Sequence, residues 1–161
     1  MSGPNRNNPY SFDEFLAWRQ GINYYSDDLF FQKVLQHFCG SEWDAINDSL
    51  LRMSEKVSYR WRDFADKIAQ PEHRPYMKHF DGHNHRIDRI VRPVETEIME
   101  KEIFSEAFFS DRTSPWLRLA KMYLIYQNGE ACVACPMTCT EGLVALLEKY
   151  ADSPETRHIL R

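Results

Sequence analysis

Glycine is scarce: six residues in a chain of 161, scattered singly, so no glycine-rich loop is present to cradle a phosphate. Long apolar runs are also lacking. None approaches the roughly 20 residues that span a bilayer, so a soluble chain with no membrane partner is expected. Neither sign of charge dominates, with 20 basic and 24 acidic residues for a net charge of -4. That balance excludes the basic stripe of a nucleic-acid binder, and nucleic acid is not an expected partner. Residues 1–10 have neither an apolar signal core nor an Arg-rich amphipathic pattern, and they read as a flexible amino-terminal tail. With no export signal, a cytoplasmic location is expected. The four cysteines, Cys39, Cys132, Cys135 and Cys139, are then expected as reduced thiols.

What is present points to helices. Hydrophobic residues make up 43% and aromatics 14% of the chain, enough to rule out disorder. Ser11-Phe-Asp-Glu14 has the form of a capping box opening a short helix to about Gln20. Asp27 and Asp28 start a second helix, whose expected buried stripe is Phe31, Val34, Leu35 and Phe38 and which Gly40 closes. Ser41 is expected to cap the longest element. Its apolar positions, from Trp43 through Ile46, Leu50, Met53, Val57 and Trp61 to Phe64 and Ile68, recur in steps of three or four, one face of a helix. About 28 residues at 1.5 Å each give a rod of roughly 42 Å, stopped by Pro71.

The helical period then lapses until Pro93, and an extended crossover with a short hairpin near 79–91, around Asp81-Gly82, is expected. Helix returns from about Glu95 to Phe109. Ser114-Pro115 opens the next helix, which runs to about Asn128 before Gly129. Cys135-Pro136 reads as another start, followed by Leu143, Val144, Leu146, Leu147 and Tyr150 at helical spacing. Ser153-Pro154-Glu155 opens a last helix seven residues before Arg161. The fold class is therefore all-α, an up-and-down bundle of about six helices with one extended crossover.

No catalytic constellation emerges. Cys132-x2-Cys135-x3-Cys139 has spacing that can bind zinc or an iron–sulfur cluster, with Cys39 or a histidine as fourth ligand. The segment lacks the glycine-rich turns of such sites, and cysteine is among the most buried residue types, so no metal ligand is assigned. His79, His83 and His85 with Asp81 and Asp88 read as solvated side chains of a broken loop rather than a zinc site. There is no nucleophile elbow, and Glu95, Glu97, Glu100 and Glu102 read as solvated.

Tyr126-Gln-Asn-Gly129 followed by Cys135-Pro-Met-Thr-Cys139-Thr-Glu-Gly142 resembles a segment of the acyl-CoA dehydrogenase superfamily, at the entry to the last long helix of its amino-terminal domain. Leu147-Glu-Lys-Tyr150, Glu155-Thr-Arg-His-Ile-Leu160, Phe15-Leu-Ala-Trp18, Asn23-Tyr-Tyr, Phe80-Asp-Gly82 and Arg86-Ile-Asp88 extend the likeness over essentially the whole chain, toward a branch resembling the alkylation-response flavoproteins. Cys139 departs from the methionine often found there. The resemblance implies an amino-terminal helical domain over 11–161, truncated at its carboxy end, of a protein that uses FAD to oxidise acyl-CoA. No catalytic residue is expected here, since the base and the flavin loops should follow Arg161, and no FAD is expected on the fragment. Ala134, Thr138 and Gly142 would face the acyl pocket, four apart on one helix face, although small residues that allow close helix packing explain them equally well. The missing middle and carboxy-terminal domains of the same chain are the expected partners, with a homo-oligomer when full-length. The alternatives are a helical interaction domain of a damage-response relative, or a cysteine-based metal module.

Overall fold

The long amphipathic stripe does fold as a helical run, but with a wide turn in its middle. A computed structural model of the chain describes residues 10–110 and 113–159; all of the expected tail but Tyr10 lies outside them. Among the described residues the chain is mostly helical with one small two-stranded sheet, broadly as the all-α expectation has it. It divides into two compact units, Met1–Arg60 and Trp61–Arg161.

In the first unit, α2 (Leu29–Cys39) and α3 (Trp43–Glu55) pack together around Tyr25, Leu35, Ile46, Leu50 and Met53, while α1 (Asp13–Gly21) buries none of its residues. The expected capping box at Ser11 does not form. Ser11 Oγ accepts only the Asp13 N–H, and Phe12 occupies the cap position without a side-chain bond. Asp28 does cap α2, accepting the Phe31 N–H at 2.8 Å. The α2 stripe needs one correction: Phe38 is 56% exposed and Cys39 is buried instead, because Phe31, Leu35 and Cys39 stand four apart on one face. Ser41 does not cap α3. It lies within a short 3-10 turn, Gly40–Glu42, that leads into the helix.

The loop before α2 is held by side chains. Asn23 Oδ1 accepts the N–H groups of Tyr25 and Ser26, and its amide donates to Glu55 Oε1 at 3.0 Å. The buried Tyr24 N–H donates to Ser58 Oγ at 2.8 Å. These bonds satisfy a buried loop backbone that has no secondary-structure partner.

The stripe continues past Glu55 through a π turn, Lys56–Trp61, into α4 (Arg62–Ile68). Met53, Val57 and Trp61 are separated by two successive steps of four, a spacing that suits the wider π turn, and each is buried.

In the second unit α4 packs on α5 (Val94–Phe104). Trp61 Nε1 donates to Glu102 Oε2 at 2.7 Å, and Ala65, Met99 and Ile103 are buried. The crossover contains the expected hairpin, β1 (Tyr76–Phe80) antiparallel to β2 (Arg86–Val91). It is almost wholly exposed, so burial does not set its register. The turn does: Asp81 Oδ1 accepts the N–H groups of His83 and His85, and Asn84 takes a positive φ of 65°. Helix α5 ends at Phe104, five residues short of the expected Phe109. Ala107 adopts a φ of 57°, and the buried Lys121 reaches across to donate to the Glu106 carbonyl at 2.7 Å.

Helix α6 (Pro115–Tyr126) begins as expected, with Ser114 Oγ accepting the Leu117 N–H, and Gly129 beyond it has a φ of 68°. The start expected at Cys135-Pro136 is wrong. Helix α7 (Ala131–Tyr150) opens a turn earlier because the Glu130 carboxylate accepts the N–H groups of Cys132 and Val133, leaving Pro136 inside the helix. A capping box between Ser153 and Thr156 opens α8 (Pro154–His158). Leu160 and Arg161 lie outside the described residues.

Candidate functional site

Helix α7 carries every residue expected at a substrate site. Its inner face buries Val133 and Met137. A quarter turn or so away, Ala134, Thr138 and Gly142 follow one another at intervals of four, Ala134 half-buried and the other two exposed. Thr138 Oγ1 donates to the Ala134 carbonyl at 3.0 Å and shares a hydrogen bond with the Tyr126 hydroxyl at the end of α6. The threonine hydroxyl is thus already engaged. A Cβ built on Gly142 meets no other heavy atom within 4 Å, so the glycine opens onto free space.

Large apolar side chains in the second half of α7 are uncovered. Leu143, Leu146 and Tyr150 are 51%, 58% and 62% exposed. Among the described residues α7 is the one helix with the length and apolar composition to cross a membrane, and only 11% of that span is buried. The expectation that no apolar run approaches that length is therefore corrected. Cys139, Thr140 and Gly142 interrupt the run by residue type without making it charged. Glu141 does bring a charge to the middle of the span, and it faces Arg118 at 3.9 Å.

A separate groove of about 210 Å³ is lined by Glu72, His73, Arg74, Tyr76, Arg92 and Glu95, among others. His73 Nδ1 lies 3.7 Å from Glu95, and Arg92 donates to Glu100 at 2.7 Å, the bond that chiefly holds its guanidinium above the ordinary range. Ala134, Thr138 and Gly142 do not line this groove.

Of the metal-like patterns, two histidines face carboxylates and the cysteines are free thiols. Cys132, Cys135 and Cys139 are exposed on α7, while Cys39 is buried in the other unit. Among the described residues, no group of three or more Cys, His, Asp and Glu is arranged to hold an ion. His79 Nδ1 lies 2.8 Å from Asp88 Oδ1, and His85 Nδ1 lies 3.2 Å from Asp81 Oδ2. The bond from His79, then that from Arg86, holds the Asp88 carboxyl below its ordinary range. The N–H groups of His85 and His83 do the same for Asp81.

Sequence reasoning missed Tyr126 as the partner of Thr138, although both stand in the motif that carried the family resemblance. It read Leu143, Leu146 and Tyr150 by their helical spacing, without assigning them to a covered or an uncovered face. Only the density of apolar residues on all sides of α7, beyond what one buried face needs, signals the uncovered surface.

The family model for the adaptive response protein AidB N-terminal domain matches residues 17–159. Neither the curated proteins nor the solved structures compared with the chain gave a match. A match over so much of the chain places it in the family of AidB N-terminal domains, the amino-terminal part of an acyl-CoA dehydrogenase-like group of adaptive-response flavoproteins.

Proposed function

We propose that this chain is the amino-terminal helical domain of an FAD-dependent acyl-CoA dehydrogenase-like protein. It supplies part of the acyl-pocket wall and a docking surface for the flavin-carrying remainder, and it is not catalytic alone. The observation that carries this reading is the second, uncovered face of α7, where Leu143, Leu146 and Tyr150 stand beside the Ala134–Thr138–Gly142 ladder. An exposed apolar patch on a folded domain marks a surface that something else covers. Lipid is a poorer occupant, because Glu141 would put a charge mid-span at a cost of about 2.5–3.5 kcal/mol. In the intact protein the helices belong to an up-and-down bundle, bound FAD would supply the oxidising chemistry for α,β-dehydrogenation of an acyl-CoA thioester, and the base would come from outside these helices. A homo-oligomer in the cytoplasm, with no membrane or nucleic-acid partner, belongs to the same proposal.

Family membership supports the flavin, and open space at Gly142 supports the wall. A second reading, a helical interaction domain serving a damage response without catalysis, draws on the family's adaptive-response designation. The Gly142→Leu variant of the intact flavoprotein separates the two. A side chain there meets nothing in the helical domain, and the helix gains up to about 1 kcal/mol in propensity. The acyl-CoA chain-length profile is expected to shift toward shorter chains with flavin content unchanged. An unaltered profile removes Gly142 from the pocket wall, and absence of any acyl-CoA oxidation favours the interaction domain.

A further inference from the structure

The first two turns of α7 hold two of the three exposed thiols. Glu130 caps the N–H of Cys132, and Cys135 follows three residues later on the same side. Residues three apart on a helix have Cβ atoms about 5–6 Å apart, whereas a disulfide asks for about 3.5–4.5 Å. An ordinary helical turn therefore has to relax before two such sulfurs can bond. In α7 this turn lacks one rung: Pro136 has no N–H to return to the Cys132 carbonyl, and its ring crowds that oxygen. Cys135 and Cys139 also stand one turn apart, but Cys139 has an N–H to return to the Cys135 carbonyl, so that turn keeps the helical bond that closure would break.

We propose that Cys132 and Cys135 are a reversible thiol–disulfide pair, oxidised by small-molecule disulfides of the glutathione type. The Cys135 thiolate attacks one sulfur of the small disulfide, forming a mixed disulfide and releasing one thiolate. Cys132 then attacks the Cys135 sulfur and displaces the second. Two protein thiols are oxidised, and one small disulfide is reduced to two thiols that carry away both protons. Burial and then the Glu130 carboxylate push the Cys132 thiol up, so the first attack is assigned to Cys135 and the attack of Cys132 relies on being intramolecular. Cys39, buried on α2, takes no part.

The test equilibrates the chain with glutathione disulfide, counts its thiols and weighs its peptides. Two thiols should disappear together, and the α7 peptide should lose two hydrogen masses. Cys132→Ser should instead retain a glutathione adduct on Cys135, and Cys139→Ser should behave as the natural chain does. Pro136→Ala restores the missing hydrogen bond and should lower the disulfide-to-dithiol ratio about 2- to 10-fold. Stable glutathione adducts on the natural chain without ring closure, a bond between Cys135 and Cys139, or cross-linked pairs of chains would each overturn the proposal.

Discussion

Tyr25 has no exposed surface, and its hydroxyl donates to Asn47 Oδ1 at 2.8 Å. Burial, then the neighbouring Cys39, pushes its phenol up from 10.0 to about 12. In the unfolded chain the same group ionises near its ordinary value. The neutral, buried phenol therefore supports the fold fully below pH 10.0 and loses that support as the pH rises toward about 12. Unfolding midpoints in urea should fall steadily across that interval, and Tyr25→Phe should remove much of the fall. At Ser58, the hydroxyl is the acceptor for the buried Tyr24 N–H. Ser58→Ala leaves that donor unsatisfied and should cost about 1–3 kcal/mol in a denaturant titration. The sequence made Val57 and Trp61 legible as core, because apolar spacing is a local signal. It could not make Ser54 or Ser58 legible: a buried serine is betrayed only by its partner, and Tyr24 lies 34 residues away.

Elements were read well where their ends carry strong chemistry and poorly where an end depends on a longer side chain. Ser114-Pro115 and Ser153-Pro154 open helices as written, since cap and proline agree. At α7 the proline misled: Glu130 caps from a longer side chain, so Pro136 falls inside. The π turn at Lys56–Trp61 was foreshadowed by two successive steps of four, but such steps also occur in plain α-helix, and packing decides between them. The hairpin was legible through Asp81-Gly82, while its bulge between Lys78 and Phe80 was not. Asp81 and Asp88 hold that hairpin as carboxylates whose affinity for protons is lowered by the His and Arg bonds around them. This support is in place above the ordinary carboxylate range and is lost as pH falls through the lower folded values. Amide resonances of Tyr76–Phe80 and Arg86–Val91 should stay dispersed through mild acid and collapse at lower pH, before the helices unfold. In Asp88→Asn the collapse should be weaker, because one of the two titrating groups is gone. Resonances that persist at full protonation would show that backbone pairing alone holds the hairpin.

For the whole molecule, composition and stripe spacing were enough to give a mostly helical protein, and the Tyr126–Gly142 motif pointed to the family that the comparison then showed. The candidate site was legible only as three small residues in register. Its setting was not, because an apolar residue awaiting a partner and one already packed look alike in sequence. Leu143, Leu146 and Tyr150 differ from Val133 and Met137 in exposure, not in chemistry. The most direct test is flavin content, measured by visible absorption on the product of the intact coding sequence and on residues 1–161 prepared beside it. The intact product should be yellow, with stoichiometric FAD that bleaches when acyl-CoA is added, and residues 1–161 should be colourless. Stoichiometric flavin on residues 1–161 alone, or an intact product without flavin, would contradict the account.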